Sequence, residues 1–338
     1  MRRRLELAIF ILILAVMFYR FQSGRENQVS RYDTHMVEHC VGRNTIRLPE
    51  TFQRVAVTTG MFKPLGLTTQ DSSFSVVVNN GNFSRESFTV EVDKRRADLK
   101  ENGDGTVDVF RGERIVDNGA VIFRVQRIDD AYVSEINFLV GKSLVTVKLN
   151  SYNNHYVEAE ENLSRFVSAV KENNTMSFDA KLQGFCLGSV VIAGSFKDER
   201  GAFLFKSDDG SDFDIEINTF SPDADEPLLK RMSGPDSLLT IFNVNHKVIR
   251  SGERRILNMR AQEWLGWAKL SDEEGAKSFK FAMETMRSSP SMAMPSINLT
   301  FNTGKPLPGG GTAKTTLSDD QAVQLWDNVV GSIKSTVL

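Results

Sequence analysis

Phe213-Asp214-Ile215-Glu216-Ile217 sets an apolar residue at every second position, with carboxylates between. Side chains of an extended chain point alternately to opposite faces, so this period of two predicts a strand with one buried and one wet face. The same form, Phe-x-aliphatic-Glu-aliphatic, recurs in Phe88-Thr89-Val90-Glu91-Val92. It is read as a second such strand, with Phe88, Val90 and Val92 on the inner face. Outward from both copies, the same signals follow in the same order. Upstream stand Cys40-Val41-Gly42 and Cys186-Leu187-Gly188. Downstream come short charged helical stretches, at 93–100 and 225–232, and then Gly112-Glu113-Arg114 and Gly252-Glu253-Arg254. A strand over 121–127 matches one over 262–268, and a strand over 144–149 matches one over 297–301.

Each copy closes on an amphipathic helix. Ser318 and Gln321 have the spacing of a capping box, in which each side chain satisfies a free backbone N–H at the helix start. Ala322, Leu325, Trp326, Val329 and Ile333 then share one helical face, as do Ala159, Leu163, Phe166, Val167 and Val170 in the first copy. Turn signals at Asn80-Gly81, Asn118-Gly119 and Asp209-Gly210 favour antiparallel neighbours. The ordered agreement predicts a duplicated α+β chain with two related domains, 37–175 and 182–338. Each is a mainly antiparallel sheet with helices, and the link lies near Asn173 to Lys181. A chain of 338 residues with 41% apolar and 25% charged content has material for two cores.

Arg2, Arg3 and Arg4 precede an apolar run from Leu7 to Tyr19. As a helix this run covers roughly 20 Å of a hydrocarbon layer about 30 Å thick. Met17-Phe18-Tyr19-Arg20-Phe21 offers neither small residues for cleavage nor a cysteine for lipid attachment. Residues 1–25 are therefore expected to form an N-terminal hydrophobic helix, an uncleaved signal anchor held in the inner membrane by 5–21, in preference to a cleaved signal peptide or a buried helix. The body would then lie in the periplasm. It is mildly acidic and has no basic block, so nucleic acid is not an expected partner. An exported chain can form a disulfide. The matching places of Cys40 and Cys186 in the two copies nevertheless favour two separate buried thiols over a bridge.

Chemistry finds little footing in the sequence. The chain has no Gly-x-Ser-x-Gly elbow, and His35, His39, His155 and His246 show no spacing that sets two imidazoles on one metal. The acidic stretch 98–108 fails as a calcium loop, with Lys100 at its third position and Val109 at its twelfth. No catalytic, metal or cofactor residue is assigned, and a binding protein is expected rather than an enzyme. Trp, Tyr and Met favour binding surfaces. Alternation puts Trp264 in the core with Phe123 and sends Trp267 to the opposite face, so Trp267 is a candidate contact residue. Met292 and Met294, in the proline-bearing stretch 288–296, are two more.

Taken together, Cys40-Val41-Gly42 with Leu48-Pro49, Gly184-Phe185-Cys186-Leu187-Gly188, the passage from Gly252-Glu253-Arg254 to Glu263-Trp264-Leu265, and the ending from Leu317-Ser318-Asp319-Asp320 to Gly331-Ser332-Ile333 resemble the cognate immunity proteins of type VI secretion phospholipase effectors. The resemblance spans about 37–338 and is strongest after 182. It implies a periplasmic protein of two related α+β domains that grips a lipase effector and obstructs its active site. It identifies no contact residue, because the shared motifs look like scaffold. The rival readings are an anchored structural or sensory envelope module and an exported enzyme whose site only folding assembles.

Overall fold

The computed structural model describes residues 35–65, 73–102, 108–116, 119–173, 183–220, 226–233, 246–269, 277–304 and 315–336. Strands β1 (Met36–Val41) and β2 (Asn44–Pro49) form a hairpin, followed by β3 (Gln53–Arg54), β4 (Val57–Pro64) and β5 (Phe74–Asn79). Helix α1 (Arg85–Asn102) leads into the meander β6 (Val109–Ile115), β7 (Val121–Ile128), β8 (Ala131–Val140) and β9 (Ser143–Ser151), closed by α2 (Tyr156–Ala169) and β10 (Val170–Glu172). The series then runs again. Hairpin β11 (Gly184–Leu187) and β12 (Val190–Ala193) precedes β13 (Phe196–Lys206), β14 (Asp212–Asn218) and α3 (Leu228–Ser233). A second meander, β15 (His246–Ile256), β16 (Met259–Lys269), β17 (Lys277–Thr285) and β18 (Ser296–Asn302), is closed by α4 (Asp319–Gly331) and β19 (Lys334–Ser335).

Among the described residues one large antiparallel sheet joins both series, in the order β15-β16-β17-β18-β14-β13-β4-β5-β9-β8-β7-β6, with β3 beside β13. The fold is α+β and mainly antiparallel. Read from either end, the order is the same. A meander forms each end, then comes β14 or β5, and β13 meets β4 at the centre. The two Gly-Glu-Arg triplets fall on the edge strands β6 and β15. Two small sheets, β1-β2-β19 and β10-β12-β11, exchange strands between the series. The first hairpin takes its third strand from the end of the chain, and the second takes the strand after α2.

Alternation decides which face of the large sheet is dry. Phe213, Ile215 and Ile217 of β14, Phe203 and Phe205 of β13, and Val76 and Val78 of β5 are buried in one core with Leu163 and Phe166 of α2 and Leu325, Trp326 and Val329 of α4. The capping box forms as its spacing predicts, with the Ser318 side chain accepting from the Gln321 N–H and the Gln321 side chain accepting from the Ser318 N–H. Phe88 to Val92, expected as a strand, instead lies inside α1. Phe88, Val92 and Leu99 are buried together on one helical face against Val121, Phe123 and Val125 of β7, while Val90 is 63% exposed. The helical period of 3.6 fits those buried positions and period two does not. Ser84 and Ser87 cap the helix start by exchanging side-chain and backbone hydrogen bonds at 2.8 and 3.2 Å. The strand beside β4, as β14 lies beside β13, is β5.

The cysteines are also corrected, because Cys40 and Cys186 form a disulfide with Cα atoms 5.9 Å apart. The two hairpins lie side by side, and Gly42 and Cys186 exchange backbone hydrogen bonds of 3.1 and 2.9 Å. Gly42 and Gly188 sit at φ of +60° and +71°, the left-handed region that suits glycine in each hairpin turn. Arg54 closes the other side, donating from Nη1 to the Gly188 carbonyl at 2.9 Å and from Nη2 to the Cys40 carbonyl at 2.7 Å. Its guanidinium lies 5.2 Å from the centre of the Phe205 ring, and His39 packs against the same ring at 4.8 Å. His39 is 3% exposed, and neither ring nitrogen has a hydrogen-bond partner. Burial first, and the Arg54 charge second, push its pKa down to about 4. The expected link near Asn173 to Lys181 lies outside the described residues beyond Asn173, as does the expected N-terminal helix over 1–25.

Two stability measurements follow from this core. In urea titrations, Trp326→Ala and Trp264→Ala are each expected to lose about 3 to 5 kcal/mol, as large buried truncations do, and the half-buried Trp267 clearly less. His39 stays neutral in the folded chain down to about pH 4, whereas unfolded histidine takes its proton near 6.5. The unfolded state therefore holds more protons between those values. The His39 contribution is complete above pH 6.5 and falls by on the order of 3 kcal/mol as pH drops through this window. His39→Phe is expected to remove that part of the acid loss, as the difference between the two stability curves.

Candidate functional site

Among the described residues the outer face of the large sheet is covered by helices at its two ends. Helix α1 packs on β6, β7 and β8, and α3 packs on β16. One cross-strand row connects the two covered ends. It runs Thr146, Val77, Thr59, Ala202, Glu216, Asn298, Glu284 and Gln262, each residue opposite the next in register. A parallel row runs Lys148, Ser75, Met61, Arg200 and Asn218. Among the described residues the floor between the helices consists of β5, β4, β13, β14 and β18, about 20 Å in each direction at ordinary strand spacing and rise. It carries Val57 and Met61, 48% and 37% exposed, among Thr59, Ser75, Arg200, Lys206 and Asp214. Such a mixture of apolar and polar side chains is as apolar as an ordinary protein interface, which differs little in bulk composition from the rest of a protein surface.

Each end of this floor has a polar wall. On the α1 side, Glu135 accepts from Arg95 Nη2 at 2.8 Å and from Asn137 Nδ2 at 2.9 Å, with Lys148 Nζ at 3.3 Å. Burial alone would raise the Glu135 carboxyl, but hydrogen bonds from Arg95 and Asn137, with the charges of Arg95 and Lys148, outweigh it and hold it below the usual range. Thr146 extends the chain by donating to Asn137 at 2.7 Å. On the α3 side, the Leu229 N–H donates to the Gln262 side chain at 3.1 Å, and Arg231 pairs with Glu284. In the middle, Arg200 Nη2 meets Glu216 at 2.9 Å. Lost solvation first, and the neighbouring Glu216 second, push the Asp214 carboxyl up.

The residues singled out in the sequence do not meet on this floor. Trp264 lies on the outer face and is buried where α3 covers β16. Trp267, of opposite parity, is on the inner face beside the start of α4, where its indole N–H points to Asp319 at 3.4 Å. Lys277 and Lys247 also donate to Asp319, at 2.7 and 3.0 Å. Burial opposes the charge of Asp319, but the hydrogen bonds from both lysines, with the Lys277 charge and the Trp267 N–H, keep its carboxyl low. Met292 and the 43%-exposed Met294 occupy the connection from β17 to β18, which Ser291 and Met294 close with hydrogen bonds of 3.0 and 3.1 Å. Trp267 pairs with Phe279, and Thr285 ends the same strand. Six residues of strand put the tryptophan and the methionine loop about 20 Å apart.

The floor itself escaped the sequence reading because 57–64 was not recognised as a strand. Its signal is present but faint: Thr58, Gly60 and Phe62 face the core while Val57, Thr59 and Met61 face outward. Threonine and glycine supply too little apolar contrast to mark the period.

Residues 181–336 match the family model described as Tle cognate immunity protein 4 C-terminal domain. This agrees with the resemblance carried by the sequence motifs. None of the curated proteins compared with the chain matches it. Solved structures of similar fold include the apo form of the T6SS immunity protein TplEi from Pseudomonas aeruginosa, with a TM-score of 0.65 at 18% identity, covering 90% of this chain and 98% of that one. A chain of the Tle4–Tli4 complex reaches 0.64 at 18% identity, with 90% and 98% covered. TplEi complexed with the "L" peptide reaches 0.61 at 19% identity, with 90% and 99% covered. The common fold thus extends through both series of elements.

The polar cap at the start of α4 gives a separate test. Asp319→Ala removes the shared acceptor of two lysines and an indole, and a favourable charge at a helix N-terminus. The expected cost is about 1 kcal/mol in urea titration, with a red shift of the fluorescence component that Trp267→Phe abolishes.

Proposed function

We propose that this chain, whose residues 181–336 form a Tle cognate immunity protein 4 C-terminal domain, is the immunity partner of a type VI secretion phospholipase effector. It binds the effector stoichiometrically, obstructs the entry of lipid and turns over no substrate. The family match carries this reading. The fold shared over 90% of the chain with TplEi and with a chain of the Tle4–Tli4 complex supports it.

The working compartment is the periplasm, with the body tethered to the inner membrane by residues 5–21. The Cys40–Cys186 disulfide supports a location outside the reducing cytoplasm, since such bonds persist where the surroundings are oxidising. Residues 37–175 and 182–338 are two related domains, a reading supported by the strand order being the same from both ends of the sheet. The effector contacts the outer floor between α1 and α3, with Met61 and Val57 as apolar anchors. That floor offers about 400 Å² before its walls are counted, against roughly 800 Å² that each partner contributes to an ordinary interface. Met292 and Met294 are further contact residues by virtue of their adaptable side chains, and Met294 has the more open position. Trp267 is the third, through the exposed part of its ring.

The test titrates this protein against a type VI phospholipase effector, sought first in the reading frame beside its gene, in a lipid-hydrolysis assay, and expresses both in the periplasm of a sensitive host. An endpoint near one inhibitor per enzyme, with loss of toxicity, is the expected result. Met61→Asp, on an exposed site, should leave the melting temperature unchanged and weaken inhibition at least tenfold, or about 1.4 kcal/mol. Full lipase activity at excess folded inhibitor would reject the function. Full inhibition by Met61→Asp would move the interface off the floor.

A further inference from the structure

Two charged side chains on the outer face of the large sheet have no ion pair among the described residues. Asp214 points outward from β14, with Leu204 of β13 and Thr300 of β18 opposite it in register. Lys280 points outward from β17, the strand that borders the floor, with Asn302 of β18 and Gly266 of β16 opposite. The charged groups around Asp214 are engaged elsewhere. Glu216, two residues along on the same face, is held by Arg200 at 2.9 Å. Asp212, on the other side, accepts from Asn302 Nδ2 at 3.0 Å, and Lys206 stands opposite Asp212 rather than Asp214. The Lys280 ammonium donates to the neutral amide of Asn302 at 3.3 Å.

Both groups lose water to these neighbours. Lost solvation, with the Glu216 charge second, raises the Asp214 carboxyl, and lost solvation lowers the Lys280 ammonium. Other charges on this face are matched in the same chain, as Glu135 is by Arg95 and Lys148, and Glu284 by Arg231. Asp214 and Lys280 thus carry an electrostatic cost that nothing described in this chain offsets. Each still keeps a side open to solvent, from which a partner can approach.

We infer that the effector meets Asp214 with a lysine or arginine side chain and Lys280 with a carboxylate. The inference rests on the proposed reading that the effector covers this floor, and it names the chemistry of that contact. Covering the floor strips the remaining water from both groups, and a charge so buried without a counter-charge strongly opposes binding. A covering surface therefore has to match them. Two strand spacings and two residues of rise set the pair roughly 12 Å apart. Opposite signs at that spacing also fix orientation, because an effector turned by half a turn on the floor would set cation on cation and anion on anion. Discharge of Asp214 by a proton would need no cation, and asparagine would then serve equally well at 214.

The experiment passes the purified effector from the inhibition titration over the immobilised full chain and records both rate constants. Asp214→Asn and Lys280→Gln are each expected to raise Kd at least tenfold, chiefly through faster dissociation, since buried charge pairs act on lifetime and distant charges on encounter. Asp214→Lys should weaken binding further, because it faces the incoming cation with a like charge. Both neutral variants should keep the melting temperature, and Asp214→Asn should raise it slightly by removing the repulsion from Glu216. Undiminished affinity in either folded neutral variant, or a loss confined to the association rate, would overturn this inference while leaving the immunity function standing. A folded wild-type chain that neither binds nor inhibits the effector would reject that function and this inference with it.

Discussion

The antiparallel pairing of β4 with β13 is the constraint on which the rest of the molecule depends. Gly60 stands opposite Gly201, with Thr59 opposite Ala202 and Met61 opposite Arg200. Without this seam each series would end in a long strand edge with unpaired backbone groups, a costly and adhesive arrangement. With it, both edges disappear into one continuous sheet, and the dry face can be shared. Side chains from both series then interlock: Phe62 of β4 meets Phe185 of β11 edge to face at 5.1 Å, and a Cβ on Gly201 would come within 2.8 Å of the Phe185 ring. The seam is narrow because the aromatic residues behind it need the room.

A seam of this kind brings like against like. Residues at matching places in the two series approach each other wherever they lie close to the seam, which explains Gly60 beside Gly201 and Cys40 bonded to Cys186. Matching positions in a repeat had argued for separate thiols, and that argument holds only for residues far from the partner series. The capping box of α4 and the order of most of the repeated signals were legible in the sequence, because each rests on local chemistry, whereas the edge placement of the two Gly-Glu-Arg triplets follows only from sheet order. Phe88 to Val92 was not legible, since five residues satisfy a strand and a helix equally well. About two further turns, reaching Leu99, distinguish them.

The binding floor illustrates a different limit. Its outline is set by which strands lie under helices, and that is a matter of sheet order rather than of any one strand's composition. Met61 looks like an ordinary core methionine until Gly201, Arg200 and the position of α1 are known. Trp267, by contrast, was correctly separated from Trp264 by parity, yet parity cannot say which face a helix will cover. The start of α4 settles the matter by bringing Asp319 to the indole.

The exchange of strands between the small sheets bears on the order in which the molecule can be completed. The first hairpin is bonded to Lys334 and Ser335, and the Thr336 N–H donates to the Arg43 carbonyl at 3.0 Å. During synthesis hairpin β1–β2 thus waits for β19, which is made long after it. A chain threaded through a pore amino end first would hold an open hairpin until β19 arrives, and contacts so distant along the chain close slowly. Premature locking of this corner is thereby discouraged by topology itself, since the first hairpin keeps an open strand edge until β19 has been made.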